Sequence, residues 1–146
     1  MTLDGPRQEP NQPATALVVL LHGYGADGAD LISLAEAWHS VLPGVAFVAP
    51  DAPEPLPAAG FGGRQWFPLT LRDPNELWHG VNYAAPVLNR FLDRELERYQ
   101  LSPNRLALVG FSQGTMMALH VGLRRNEQVA AIVGFSGLLA GPEHLA

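Results

Sequence analysis

Four short, largely apolar runs alternating with stretches of helical spacing predict an α/β fold, a mostly parallel sheet with helices on both faces. The runs are Ala16–Leu21, Val45–Ala49, Arg105–Val109 and Val129–Phe135. Continuous apolarity over so few residues marks a strand buried on both sides. Strand–helix alternation then demands parallel pairing with crossover helices. The third observation is length, since 146 residues suit one domain and are too few for two of ordinary size. Residues 1–146 are therefore read as a single unit.

The elements follow in order. Residues 1–15 are polar, carry Pro6, Pro10 and Pro13, and read as an irregular arm. The first strand stops at His22-Gly23-Tyr24-Gly25-Ala26-Asp27-Gly28. A helix is expected from Asp27 to about Ser40, with Leu31, Leu34, Ala35 and Trp38 on one face and acids near its start. Pro50-Asp51 ends the second strand. From Ala52 to Gly80 no periodicity holds, and a long unpatterned stretch inside a small domain reads as a lid or binding loop. Its aromatics, Phe61, Trp66, Phe67 and Trp78, either wall a binding groove or fasten the loop to the sheet. Val81, Ala85, Leu88, Leu92, Leu96 and Tyr99 line one face of a helix over 81–99. A turn at Ser102-Pro103-Asn104, the third strand, a helix over 113–125 and the fourth strand complete the chain.

Composition excludes several classes. With 47% hydrophobic and 16% charged residues the chain is not disordered. It has no cysteine, so disulfides, thiolate nucleophiles and cysteine zinc sites are excluded. Net charge is −5 and all nine basic residues are arginine, without a basic cluster. Nucleic acid and anionic membrane surfaces are accordingly poor partners. The lead-in lacks signal-peptide character, and Ala16–Leu21 is far too short for a membrane span. A cytoplasmic protein without stable membrane insertion is expected.

Gly110-Phe111-Ser112-Gln113-Gly114 lies between an expected strand and an expected helix. In that setting G-x-S-x-G reads as a nucleophile elbow: serine sits in a strained turn, and Gly110 and Gly114 remove clashes two residues to either side. The following helix aims backbone N–H groups, that of Gln113 among them, at developing negative charge. Gly134-Phe135-Ser136-Gly137 is a near echo with Leu138 in the second glycine's place, and reads as a turn. The loop after the first strand carries two readings. Gly23, Gly25 and Gly28 spell G-x-G-x-x-G with Asp51 beyond the next strand, a dinucleotide-binding pattern. Asp27 and Asp30 oppose it, because they stand where a pyrophosphate would sit. The other reading is an oxyanion loop in which the Tyr24 N–H pairs with that of Gln113.

Leu21-His22-Gly23-Tyr24-Gly25-Ala26-Asp27-Gly28, Arg64-Gln65-Trp66-Phe67, Gly110-Phe111-Ser112-Gln113-Gly114 and Phe135-Ser136-Gly137 occur in that order. Together they resemble the phospholipase/carboxylesterase family of α/β-hydrolases, which includes the acyl-protein thioesterases, from about Ala16 onward. The resemblance implies an α/β-hydrolase fold and hydrolysis of esters or thioesters without metal or cofactor, as by a carboxylesterase, thioesterase or lysophospholipase. It implies Ser112 as nucleophile and the Tyr24 and Gln113 N–H groups as oxyanion hole; Trp66 and Phe67 are candidate walls of an acyl groove. Thr115 stands where many relatives have glycine.

The fold's triad runs serine, then acid, then histidine along the chain. No aspartate follows Ser112; only Glu127, Glu143, His120 and His144 do. His120 lies about 12 Å along the nucleophile's own helix and cannot reach it. Glu143 and His144 are sequence neighbours, a poor geometry for an oriented pair. The expectation is a truncated hydrolase lacking two strand–helix units of about 30 residues each. It would leave the fourth strand as an apolar edge open to self-association. Ser112 without its base would be nearly inert, and a catalytically dead binding fragment is the alternative of a different class.

Overall fold

The computed structural model describes residues 1–56 and 63–145, and Phe61 lies outside them. In chain order the elements are β1 (Arg7–Gln8), β2 (Ala16–Leu21), α1 (Gly28–Trp38), β3 (Val45–Val48), β4 (Glu54–Pro55), β5 (Arg64–Gln65), α2 (Pro74–Tyr99), β6 (Leu106–Phe111), α3 (Gln113–Gly122) and β7 (Ala131–Phe135), with short 3-10 turns at Pro103–Arg105 and Pro142–His144. Five strands form one sheet in the order β1-β3-β2-β6-β7. All neighbours pair in parallel except β1, which runs antiparallel to β3. A separate two-stranded ladder joins β4 to β5.

Alternate residues of β2 explain why its run is apolar throughout. Leu17, Val19 and Leu21 pack with Leu88, Phe91 and Leu92 of α2 and with Met117 and Val121 of α3. Val18 and Leu20 face the other way, into a cluster with Phe47 and with Leu31, Ala35 and Trp38 of α1. Both faces of the sheet are thus covered by helix. The chain leaves β2 toward β3 and later returns to β6 on β2's other side, with Leu21 level with Gly110. That reversal makes the carboxyl ends of β2 and β6 a topological switch point, where such folds place their sites.

Three elements depart from expectation. The arm is not wholly irregular: β1 pairs with β3, the Ala49 N–H donates to Pro6 O at 2.9 Å, and Leu3 is buried in the core. Its polar residues find polar partners. Arg7 reaches the fully buried Glu95 at 2.7 Å and the Tyr99 hydroxyl at 2.9 Å, and Arg98 meets Glu95 at 3.0 Å. The hydrogen-bonded Glu95 carboxylate raises the Arg7 pKa above its ordinary value. The long helix also begins seven residues before its apolar stripe does. Asp73 caps α2 by accepting from the Glu76 N–H at 2.9 Å, and Pro74 is the first helical residue. The first two turns pack only in part, so no periodicity announces them, and the helix carries Pro86 internally. The unpatterned stretch therefore ends at Asp73 rather than Gly80. Finally, β7 begins at Ala131, two residues later than expected.

At the far edge of the sheet β7 has one strand neighbour, and Val133 and Phe135 are 44% and 42% exposed. No helix among the described residues is long and apolar enough to cross a membrane.

Candidate active site

Ser112 follows β6 directly and precedes α3, with φ 52° and ψ −113°, in the left-handed region that non-glycine residues occupy at a cost of about 1–3 kcal/mol. The strain lifts an exposed side chain above the carboxyl ends of the strands. Its neighbours hold it there. The Ser112 N–H donates to Phe135 O at 2.8 Å, and the Thr115 and Met116 N–H groups donate to Ser112 O at 3.0 and 3.2 Å. A Cβ at Gly114 would collide with the Leu21 carbonyl oxygen, and one at Gly110 would lie 2.5 Å from the Thr115 nitrogen. The two glycines are therefore a packing requirement of the elbow. Thr115 has its own compensation. Its hydroxyl donates to Phe135 O at 2.9 Å and accepts from the Phe135 N–H at 3.1 Å. Gly134 and Gly137 leave room for it, since a Cβ at either would come within 2.5 Å of the threonine side chain.

The loop after β2 lies against this elbow. A Cβ on Gly23 would sit 3.2 Å from both Phe111 O and Ser112 Cβ. Gly25 has φ +85° and donates its N–H to Arg64 O at 2.8 Å, while the Arg64 N–H returns to Ala26 O at 2.9 Å. His22 is buried with both ring nitrogens engaged, Nδ1 to Gly23 O at 2.8 Å and Nε2 to the Ala52 N–H at 2.9 Å. Since Nε2 accepts a backbone N–H, the ring is neutral and Nδ1 carries the proton. Burial lowers its pKa and keeps it so. Among the described residues, no acceptor pairs with the backbone N–H of Tyr24 or of Gln113. Gln113 follows Ser112 in the chain, and Tyr24 follows Gly23, which lies against the serine, so the two donors come from two different elements.

Trp66 and Phe67 occupy the interior. Both are fully buried in the core, so their rings fasten the 63–73 segment to the sheet, and Phe67 also borders a small cavity with Pro68, Glu76, His79, Gly80 and Tyr83. The polar partner that receives them is the side chain of Gln113, a role beyond that of its backbone N–H. Its Oε1 accepts from the Trp66 N–H at 2.7 Å, and its Nε2 donates to Phe67 O at 2.8 Å. Arg64 was likewise quoted without a role; its Nε donates to Ala52 O at 2.5 Å and its Nη2 to Pro53 O at 3.1 Å. The quoted motifs contained both residues, but a carboxamide bound to distant main chain leaves no periodic trace.

The dinucleotide reading loses its donors. Asp51 accepts from the Gly28 N–H at 2.8 Å, and Asp27 and Asp30 satisfy each other's backbone N–H groups at 3.0 Å in a capping box. The N-terminus of α1, where a pyrophosphate would bind, is filled by the chain's own carboxylates.

The acid and base do not assemble. Ser112 Oγ has no hydrogen-bond partner among the described residues. His120 is buried edge-on to Trp78 at 5.5 Å, and burial pushes its pKa down to about 4. His144 stacks on Trp78 at 3.9 Å, with Glu143 3.6 Å from its Nε2. His39 ends α1, His79 lies within α2, and Glu127 is exposed beyond α3.

Comparison with known proteins agrees with this architecture. A family model described as Phospholipase/Carboxylesterase matches residues 7–146. Acyl-protein thioesterase 1 of Schizosaccharomyces pombe is 31% identical over 135 residues, covering 89% of this chain and 59% of that protein. Its namesake from Yarrowia lipolytica is 32% identical over 130 residues, covering 84% and 57%. Among solved structures, esterase PE8 superposes with a TM-score of 0.94 at 45% identity, over 99% of this chain and 68% of that one. A phospholipase/carboxylesterase from Dyadobacter fermentans gives 0.70 at 26%, over 96% and 63%. The chain thus spans less than two-thirds of the length of these curated relatives. Its mostly parallel sheet is that of an α/β-hydrolase, and the chain belongs to the phospholipase/carboxylesterase family.

Proposed function

We propose that this chain carries the nucleophile and oxyanion hole of a serine hydrolase acting on carboxylic esters or thioesters. The observation that supports it is the pair of unpaired backbone N–H groups, Tyr24 and Gln113, flanking an exposed serine held at positive φ. Ser112 Oγ attacks the acyl carbonyl carbon. The carbonyl oxygen takes up negative charge and accepts from both N–H groups, which the fold holds in place before the reaction begins. Collapse of the tetrahedral intermediate expels the alkoxide or thiolate and leaves an ester on Ser112, which water then cleaves. No cofactor enters this scheme.

The proton on Ser112 Oγ needs a base, and no histidine or carboxylate among the described residues bonds to it. These 146 residues alone are therefore expected to acylate slowly and deacylate more slowly still. The names of the relatives, acyl-protein thioesterases and esterases, support an acyl ester or thioester as substrate class. Self-association through the open β7 edge belongs to the same reading.

The test is to trap the acyl group. After incubation with p-nitrophenyl butyrate and acid quench, peptide mapping should find butyryl on Ser112 and none in Ser112→Ala. Butyryl groups scattered over other hydroxyls, with Ser112 bare, would overturn the assignment.

A further inference from the structure

The two donors flanking Ser112 belong to separate elements, the loop after β2 and the first residue of α3. An oxyanion hole works only if their separation is fixed, because donors must be held within about 0.5 Å of the productive geometry. A misplacement of about 1 Å can cost on the order of a hundredfold in rate. Something has to tie the two elements together. The segment from Arg64 to Phe67 touches both. Its Arg64 main chain pairs with Gly25 and Ala26, directly beyond Tyr24. Trp66 then reaches in two directions. Its backbone N–H is held by the Gln113 side chain at 2.7 Å, and its indole Nε1–H donates to the His22 carbonyl at 2.9 Å. Phe67 O closes the second bond to the Gln113 carboxamide at 2.8 Å. Trp66, His22 and Gln113 are all buried, so water does not compete for these bonds.

We propose that Trp66 is a positioning residue for the oxyanion hole: it clamps the Tyr24 loop to the first turn of α3 through one indole and one main-chain hydrogen bond. This inference rests on the reading of Ser112 and its two N–H neighbours given above. It replaces a wall of the acyl groove with a brace behind the donors. His22 is the intermediate on the loop side, since its carbonyl takes the indole while its ring holds Gly23 O and the Ala52 N–H.

The decisive variant removes one N–H and nothing else. Trp66→benzothienylalanine, with sulfur in place of the indole nitrogen, keeps the shape of the ring system. Trp66→Phe is the second variant and also leaves a void. Two readouts are taken on the full 146-residue chain: the rate at which a fluorophosphonate modifies Ser112 in the presence of imidazole, and amide hydrogen exchange at Gly25 and Ala52. For the benzothienyl variant we expect an unchanged melting temperature and labelling slowed about tenfold. Exchange should be faster at Gly25 and Ala52 and unaltered along β6. Trp66→Phe should add a lower melting temperature to the same slowing. Wild-type labelling in both variants, with wild-type exchange at Gly25 and Ala52, would overturn the proposal whatever happens to stability. If the wild-type chain takes no phosphonate, the reading of Ser112 has failed. Exchange at Gly25 and Ala52 then decides the clamp by itself: faster exchange supports it and unchanged exchange sinks it.

Discussion

Moving outward from Ser112 along the sheet gives two different proteins. Toward β2, β3 and β1 the polar groups around the site, the Tyr24 N–H aside, are engaged, by His22, Asp51, Arg64, Trp66 and the Gln113 carboxamide, and the edge itself is capped by the arm with Arg7 on Glu95. Toward β7, among the described residues, the sheet edge has no further strand, Val133, Phe135 and Leu138 stand 44%, 42% and 45% exposed, and no acid or base bonds to the serine. On the proposed reading, the loop that carries Tyr24 belongs to the closed side. On the reading proposed above, the donors for an oxyanion and the groups that bear on the β7 side depend on different contacts, so each can be perturbed separately.

The closed side should be the costly one to damage. Glu95→Ala strips the buried partner from Arg7, whose side chain is 19% exposed, and is expected to cost about 3 kcal/mol in urea unfolding. A loss below 1 kcal/mol would mean that the arm does not cap this edge. Next comes Gly114→Ala, whose methyl would press on the Leu21 carbonyl at the end of β2. Overpacking there should cost about 2–3 kcal/mol and slow labelling of Ser112 with it. An unaffected variant would show that the elbow has slack.

A smaller effect comes from His120. Its folded pKa of about 4 lies below the unfolded value of 6.5. The unfolded chain therefore binds the extra proton between those pH values. Stability from this group is complete above pH 6.5 and is lost as pH falls toward 4. At pH 5 the loss should be about 1–2 kcal/mol relative to pH 7. His120→Gln, which has no titrating ring, should lose correspondingly less over the same interval; parallel pH curves would clear His120 of the role. Smallest should be the effect of Phe135→Asp on folding, about 1 kcal/mol for the lost stack on Phe111. Its signature belongs in sedimentation, where self-association through β7 should weaken; an unaltered distribution would locate any association elsewhere.

The same two sides differ in how they are written in the sequence. The sheet was legible because β2, β3 and β6 are buried on both faces and so read as unbroken apolar runs. The elbow was legible because Gly110, Ser112 and Gly114 answer local steric needs a few residues apart. What stayed hidden depends on contacts distant in sequence. Arg7 and Glu95 are 88 residues apart, and Gln113 and Trp66 are 47 apart. Neither pair leaves a pattern of 2 or 3.6. The first turns of α2 were missed for a related reason: Pro74 and the cap at Asp73 announce a helix start, but the apolar stripe begins only at Val81. Trp66 and Phe67 were found as a motif, yet their burial could not be read from a segment without periodicity.

The most direct test of the half-built site is an intact-mass spectrum after treatment with a fluorophosphonate, with and without added imidazole. A slow adduct confined to Ser112, absent from Ser112→Ala and accelerated by imidazole entering from the open side, is the expected result. Fast stoichiometric labelling without imidazole would contradict the account, because it would mean that a base already stands beside Ser112. Labelling that imidazole leaves unchanged, or that persists in Ser112→Ala, would contradict it from the other side.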